Sequence, residues 1–327
     1  MEEDIIKKKK NNYLVIILIG IIVILIGYSV YMTLELKKLQ SDISIEDKFP
    51  LVSPEISKLS VHDFLEKQKT LTISYKGLKP QLVSLLNHSK GYYGLYFEDL
   101  DSGSWIGINE RDNKFIPASL LKLPTMIAVL KRIELGEVNL SDKIKIRKQD
   151  IDTQSGLLGY NGENYEISVD ELLNYMIKKS DNTAVNTLNS QVLTPEQIVG
   201  AGLAMGLPLP NDSVQYMSPK TYSNMLRSLY LSSYLRRTFS QKGLLLMTET
   251  DFNSEIPAKL PKDIQVAHKV GFNDNGGYYH DCGIVYYPKK PYILCVMSAN
   301  STQAEANDII SNASRIIYDY VDNGKTG

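Results

Sequence analysis

Strand-like sequence stands at both ends of residues 76–323, and helical periodicity fills the interval between them. A chain patterned this way has few means of burying its apolar faces. Near the start, Gly91-Tyr-Tyr-Gly-Leu-Tyr-Phe-Glu98 reads as a strand, Asp101-Ser-Gly103 as a turn and Ser104-Trp-Ile-Gly-Ile-Asn109 as the returning strand. Apolar residues then fall on helical spacing from Leu120 to Val138 and from Glu171 to Lys178. Helical character continues over Asn182 to Gln191 and Thr221 to Tyr230. Strand signals return at Gln265–Phe272, Tyr278–Tyr287 and Tyr292–Ser298, the last two joined by Pro288-Lys-Lys-Pro291, and an amphipathic helix from Gln303 to Val321 closes the pattern. The expected fold is α+β, an α/β sandwich in which one antiparallel sheet, built from both ends of the domain, packs against a helical subdomain. No internal repeat is present.

The N-terminus predicts a different environment. Tyr13 to Met32 is an uncharged, almost wholly apolar run, close to the roughly 20 residues that cross a bilayer. Lys7, Lys8, Lys9 and Lys10 precede it and Lys37 and Lys38 follow. The heavier cluster assigns residues 1–12 to the cytoplasm and leaves the rest outside. Residues 13–32 are thus expected to be a transmembrane signal-anchor in the cell membrane, residues 33–75 an extracytoplasmic stalk, and residues 76–323 the folded domain. A cleaved signal peptide ending near Gly27-Tyr-Ser29 is the alternative, although the apolar run is longer than such segments usually are. A net charge of −1 argues against a nucleic-acid partner. Cys282 and Cys295 read as buried free thiols, and the four histidines lack metal-ligand spacing, so no metal or cofactor is expected. Nothing in the sequence sets an oligomeric state.

Three short motifs carry the chemistry. In Ser119-Leu-Leu-Lys122 the lysine stands one helical turn after the serine, within reach of its hydroxyl. Such a lysine acts as a base only if burial or a second cation lowers its pKa from about 10.4; Lys269 is the candidate cation. Alone, the pattern is as readily an ordinary helix start with an exposed lysine. Ser180-Asp-Asn182 is equally a set of good helix N-caps. Its chemical reading makes Ser180 a proton shuttle to a leaving amine, Asn182 a donor to the acyl group and Asp181 a pin for the loop. Lys269-Val-Gly271 lies in a strand, where glycine permits close approach of another backbone; the bland reading is a sheet edge with a solvated lysine. The N–H groups of Ser119 and Phe272 could then hold an oxyanion. Two near misses are set aside. Lys325-Thr-Gly327 ends the chain with no strand after it, and Gly200-Ala-Gly202-Leu-Ala-Met-Gly206 reads as a helix with a glycine stop rather than a dinucleotide loop.

Taken together, in this order and with about sixty residues between the two serines, the motifs resemble the S-x-x-K, S-D-N, K-T-G set of class A β-lactamases and penicillin-binding proteins. Leu123-Pro124, Val169-Asp-Glu-Leu-Leu and His280-Asp-Cys-Gly-Ile-Val285 extend the resemblance, which covers about Ser74 to Asp322. It implies a serine hydrolase that forms an acyl-enzyme with a β-lactam or a peptidoglycan stem. Ser119 would be the nucleophile, Lys122 the base and Ser180 the proton relay. Asn182, Lys269, Gly271 and Phe272 would hold the substrate. Two departures qualify the expectation. The family's deacylating glutamate has no counterpart, because Gln197 to Thr248 contains one carboxylate, Asp212, while Glu163 and Glu166 precede Ser180 and Glu196 reads as a first-turn helix residue. Val270 stands where a hydroxyl usually meets the substrate carboxylate. An acyl-enzyme that forms but hydrolyses slowly is therefore expected. The alternatives are a penicillin-binding D,D-carboxypeptidase-like protein and a non-catalytic wall-binding or sensor domain.

Overall fold

The computed structural model describes residues 20–35, 49–53, 75–207 and 216–323. The chain divides into two units, Met1–Pro50 and Leu51–Gly327. In the first, residues 20–35 are helical with exposed side chains. The remainder of the expected span, 13–19, lies outside the described residues, as do Asp212, Lys325-Thr-Gly327 and most of the expected stalk. Among the described residues no helix is long and apolar enough to cross a membrane.

The second unit is built on a five-stranded antiparallel sheet of order β2-β1-β7-β6-β5. Its strands are β1 (Tyr92–Asp99), β2 (Trp105–Ile108), β5 (Val266–Asn273), β6 (Tyr278–Val285) and β7 (Tyr292–Ala299). The first and last strands of the domain meet in register from Tyr92↔Ala299 to Asp99↔Tyr292, which is the joining of both ends that the sequence predicts. Two short strands, β3 (Lys143–Lys145) and β4 (Glu166–Ser168), form a separate ribbon.

Helices α1 (Leu78–Asn87) and α8 (Gln303–Asp322) cover one face of the sheet, where Leu78, Leu82, Leu95, Phe97, Ile310 and Ile317 join one apolar cluster. On the other face lie α2 (Lys122–Glu134), α3 (Val169–Lys178), α4 (Asn182–Gln191), α5 (Pro195–Ala204), α6 (Pro219–Leu231) and α7 (Arg237–Thr248), with α6 packed directly on β1, β6 and β7. Covered on both faces, β7 is buried at every position, so it reads as an unbroken apolar run rather than an alternating one. Helix α2 is the centre of the helical layer and is buried from Lys122 to Leu130.

Local signals explain where several helices begin. A capping box opens α3: Glu171 N–H donates to Ser168 Oγ at 3.2 Å, and Ser168 N–H donates to Glu171 Oε2 at 2.9 Å. Asp181 caps α4 by accepting from Ala184 N–H at 2.9 Å.

Two expectations need correction. Cys282 and Cys295 are joined in a disulfide; β6 and β7 pair in a register that sets them directly opposite each other, which no sequence spacing reveals. Residues 51–53, within the expected stalk, also pack on the folded unit. Leu51 and Val52 are buried, and Ser53 N–H donates to Tyr230 O at 2.7 Å.

Candidate active site

Ser119 sits on a single 3₁₀ turn, Ala118–Leu121, and the α-helix proper starts at Lys122. The residue before the serine, Ala118, has φ +48°, and Ser180 has φ +53°. Left-handed backbone at a non-glycine residue costs on the order of 1–3 kcal/mol and persists only where its surroundings enforce it. Both residues lie where the motifs meet.

Lys122 Nζ donates to Ser119 Oγ at 2.9 Å, Ser180 O at 2.7 Å, Asn182 Oδ1 at 2.8 Å and Ser180 Oγ at 3.2 Å. Its residue is only 4 % exposed. Burial lowers its pKa to about 8, against the opposing pull of the Asp181 and Asp152 carboxylates. Lys269 Nζ reaches the same Ser180 hydroxyl from the strand side at 3.0 Å and also donates to Val270 O at 3.0 Å. Lys269 is wholly enclosed, and burial, followed by the charge of Lys122, holds its pKa well below the usual lysine value. One hydroxyl thus lies between two amines, and a neutral Lys122 is in place to take the Ser119 proton.

The scaffold around these groups is close-fitting. Asp181 Oδ2 accepts from Leu158 N–H at 2.8 Å, so this carboxylate pins both α4 and the neighbouring loop, as expected. Ser155 Oγ donates to Ser180 O at 2.8 Å. Gly271 faces the nucleophile turn so closely that a Cβ there would lie 2.6 Å from Pro117 O. His280 accepts from Ser298 N–H on Nδ1 at 3.1 Å and donates from Nε2 to Ile116 O at 2.8 Å. Burial lowers its pKa to about 4, so it serves as a neutral tie between β6 and the segment leading to Ser119. Behind Lys269, His268 Nδ1 lies 2.9 Å from each Asp281 oxygen, and Asp281 Oδ2 accepts from Ile256 N–H at 3.0 Å. Glu255 is buried beside them. Its Oε2 lacks a hydrogen-bond partner among the described residues, and burial, then the Asp281 charge, raises its pKa to about 7.

All seven sequence-predicted residues converge here, but two sit differently from the expectation. Lys269 lies behind Ser180 instead of lining the open site, so although β5 is a sheet edge its lysine is not solvated. Asn182 already uses both ends of its amide, accepting from Lys122 and donating to Asp152 Oδ2 at 3.2 Å. Asp152 and Ser155, which hold the S-D-N loop from outside it, belong to no motif and carried no sequence signal. Ser119, Lys122, Asn182 and Phe272 line a cavity of about 510 Å³ that extends along α2, α4 and α5. Among the described residues no cluster of His, Cys, Asp or Glu could hold a metal ion.

Residues 77–321 match the Beta-lactamase enzyme family. The chain belongs to this family. Among curated relatives, β-lactamase VEB-1 of Pseudomonas aeruginosa is 26 % identical over 64 % of this chain and 79 % of its own length. β-Lactamase CTX-M-97 of Escherichia coli is 24 % identical over 76 % of this chain and 90 % of its own. The solved structure of PBP-A superposes with a TM-score of 0.70 at 26 % identity, covering 76 % of this chain and 97 % of that one. A PBP-A mutant solved as an acyl-enzyme complex with penicillin G gives 0.69, again at 26 % identity. The protein therefore belongs with the class A β-lactamase-related serine enzyme family and has the β-lactamase/transpeptidase-like α+β fold. Among the described residues no carboxylate lines its cavity.

Proposed function

We propose that this β-lactamase-family protein is a membrane-anchored, extracytoplasmic serine hydrolase that forms an acyl-enzyme on Ser119 with β-lactams or related peptidoglycan amides and releases it slowly. The observation that carries the reading is the chain of contacts from Ser119 Oγ through Lys122 Nζ to the Ser180 hydroxyl, backed by Lys269. Neutral Lys122 accepts the Ser119 proton as Oγ attacks the carbonyl. The Ser119 and Phe272 N–H groups receive the developing oxyanion. Collapse breaks the C–N bond, and the proton passes from Lys122 through Ser180 to the leaving nitrogen. Lys269 keeps Ser180 oriented and favours its donation. Hydrolysis of the ester then needs an activated water, and the lack of a carboxylate among the described lining residues supports a slow second step. The same feature favours a D,D-peptidase-like variant of the reading, in which the adduct with a β-lactam is a trap and the natural substrate is a peptidoglycan stem. The lysine cluster and apolar run at the N-terminus support the anchor.

The test is intact-mass analysis of the full-length protein in nanodiscs during exposure to penicillin G, beside Ser119→Ala. The expected result is an adduct of one drug mass that depends on Ser119 and persists after the drug is removed. Rapid drug consumption with only a transient adduct would refute slow deacylation. Absence of any adduct would refute acylation by β-lactams and favour the non-catalytic binding role.

A further inference from the structure

We infer that Phe252 is a specificity-determining residue: its ring covers Lys269 and denies a cation to any carboxylate beside the scissile nitrogen, so the departing half of the natural substrate is uncharged at that point. This deepens the proposed function and rests on acylation of Ser119. The substrate class it selects is a peptide link followed by further chain or by a terminal amide, in place of a free C-terminal residue.

The argument begins at Ser180, whose hydroxyl hands the proton to the leaving nitrogen. Lys269 Nζ stands 3.0 Å from that hydroxyl, in position to meet an anionic group on the departing half. It is closed off. Lys269 has no exposed surface, and its ammonium turns to Val270 O at 3.0 Å. The Phe252 ring centroid lies 5.7 Å from Nζ, within the range of a cation–π contact. Val270 is 1 % exposed and has no hydroxyl to offer. Lys122 is buried and already has four acceptors. Two further lysines directly precede Ser180 in the chain, and both are matched: Lys178 pairs with Glu249, and Lys179 with Asp251.

Phe252 is held in this place by its neighbours. Asp251 N–H donates to Lys178 O at 3.1 Å, and Thr250 Oγ1 donates to the same oxygen at 3.4 Å. These bonds tie the segment to the end of α3 that leads into Ser180. The ring also packs on Phe272, with centroids 5.8 Å apart. A carboxylate brought to Ser180 would therefore leave water for an aromatic surface with its counter-charge shielded, which is strongly unfavourable. A carboxamide or ester loses far less on the same transfer. Burial also draws Lys269 towards its neutral form, which weakens it further as a partner for an anion. On this account penicillin G carries its carboxylate into the site at a cost that its neutral ester escapes.

The experiment uses the full-length protein in nanodiscs with penicillin G and penicillin G methyl ester. Formation of the Ser119 adduct is timed by rapid quench and intact mass, beside Ser119→Ala, and each rate is divided by the rate at which hydroxide opens the same compound. The expected result is an ester at least about tenfold faster than the acid. Phe252→Ala uncovers Lys269 and should lower the ester-to-acid ratio by about tenfold or more. Phe252→Leu, a milder change to the same cover, should lower it by a smaller factor. A thermal melt identifies which variants fold. A variant that only loosens the site would slow both compounds alike and leave the ratio unchanged. An acid as fast as the ester in the parent, or an unchanged ratio in every folded variant, overturns the assignment while leaving the acyl-enzyme reading standing. If neither compound acylates Ser119, both fall.

Discussion

Gly271→Ala perturbs the joint between the strand and the nucleophile turn without removing a reactive group. A Cβ at this position would stand 2.6 Å from Pro117 O, 3.0 Å from Leu120 Cγ and 3.3 Å from Leu120 N. The leucine can rotate, but Pro117 O is backbone and already accepts Leu120 N–H at 3.0 Å within the turn. Reaching an ordinary 3.4 Å contact means parting β5 from the turn by 0.8 Å. Ser119 rides on the turn and Phe272 on the strand, so the two N–H groups assigned to the oxyanion separate by a comparable amount. A misplacement near 1 Å slows a positioned reaction on the order of 10²-fold, and the overpacking itself should destabilise by about 1–3 kcal/mol. Ser119 and Lys122 move together, so the pH midpoint of acylation should stay near 8. The assay is the single-turnover acylation rate from pH 6 to 9, with a thermal melt of the same sample. Acylation within about threefold of the parent in a folded variant would refute the argument, because the strand–turn distance would then not govern the oxyanion geometry. A shifted pH midpoint would show that the base had moved as well.

Three further outcomes follow from the site. Because Lys122 acts as a base when neutral, acylation should rise with pH through about 8 and fall tenfold per unit well below it; a flat profile between pH 6 and 9 would remove Lys122 from that role. Ser180→Ala takes away the hydroxyl shared by both lysines and should slow acylation by about 10²–10⁴, read as burst rate at saturating substrate, while a change in KM alone would contradict a proton relay. Glu255 has a folded pKa of about 7 against an ordinary 4.5, so its burial is neutral to stability below pH 4.5, becomes destabilising as pH rises to 7 and is constant above that. Glu255→Gln should therefore stabilise the protein by on the order of 1–3 kcal/mol at pH 8 and very little at pH 4, checked by urea melts at both pH values; equal shifts at the two would contradict the assignment.

Much of the architecture was legible because its signals are local. The cap residues of Ser180-Asp-Asn182, the helical period of α2 and α8 and the strand runs at both ends each depend on residues within a few positions of one another. The i, i+3 spacing of Ser119 and Lys122 belongs to the same class, since one turn of helix brings them together whatever else the chain does. The periodicity did not single out α7, whose burial is governed by α2, α3 and β5 packed around it. Nor did it separate the 3₁₀ turn at Ala118–Leu121 from the α-helix that follows.

What the sequence by itself determined was the order of elements, the α+β class and the identity of the candidate site residues, all encoded in short-range pattern. The tertiary structure alone decided which of those groups meet water and which meet each other. The register of β6 on β7 turned Cys282 and Cys295 from expected free thiols into a disulfide. Docking of β5 against the nucleophile turn enclosed Lys269 and set it behind Ser180, and the packing of α2, α4 and α5 left an apolar cavity at the serine. Register and enclosure depend on contacts between segments tens to hundreds of residues apart, and periodicity along one segment carries no record of the surface it will meet.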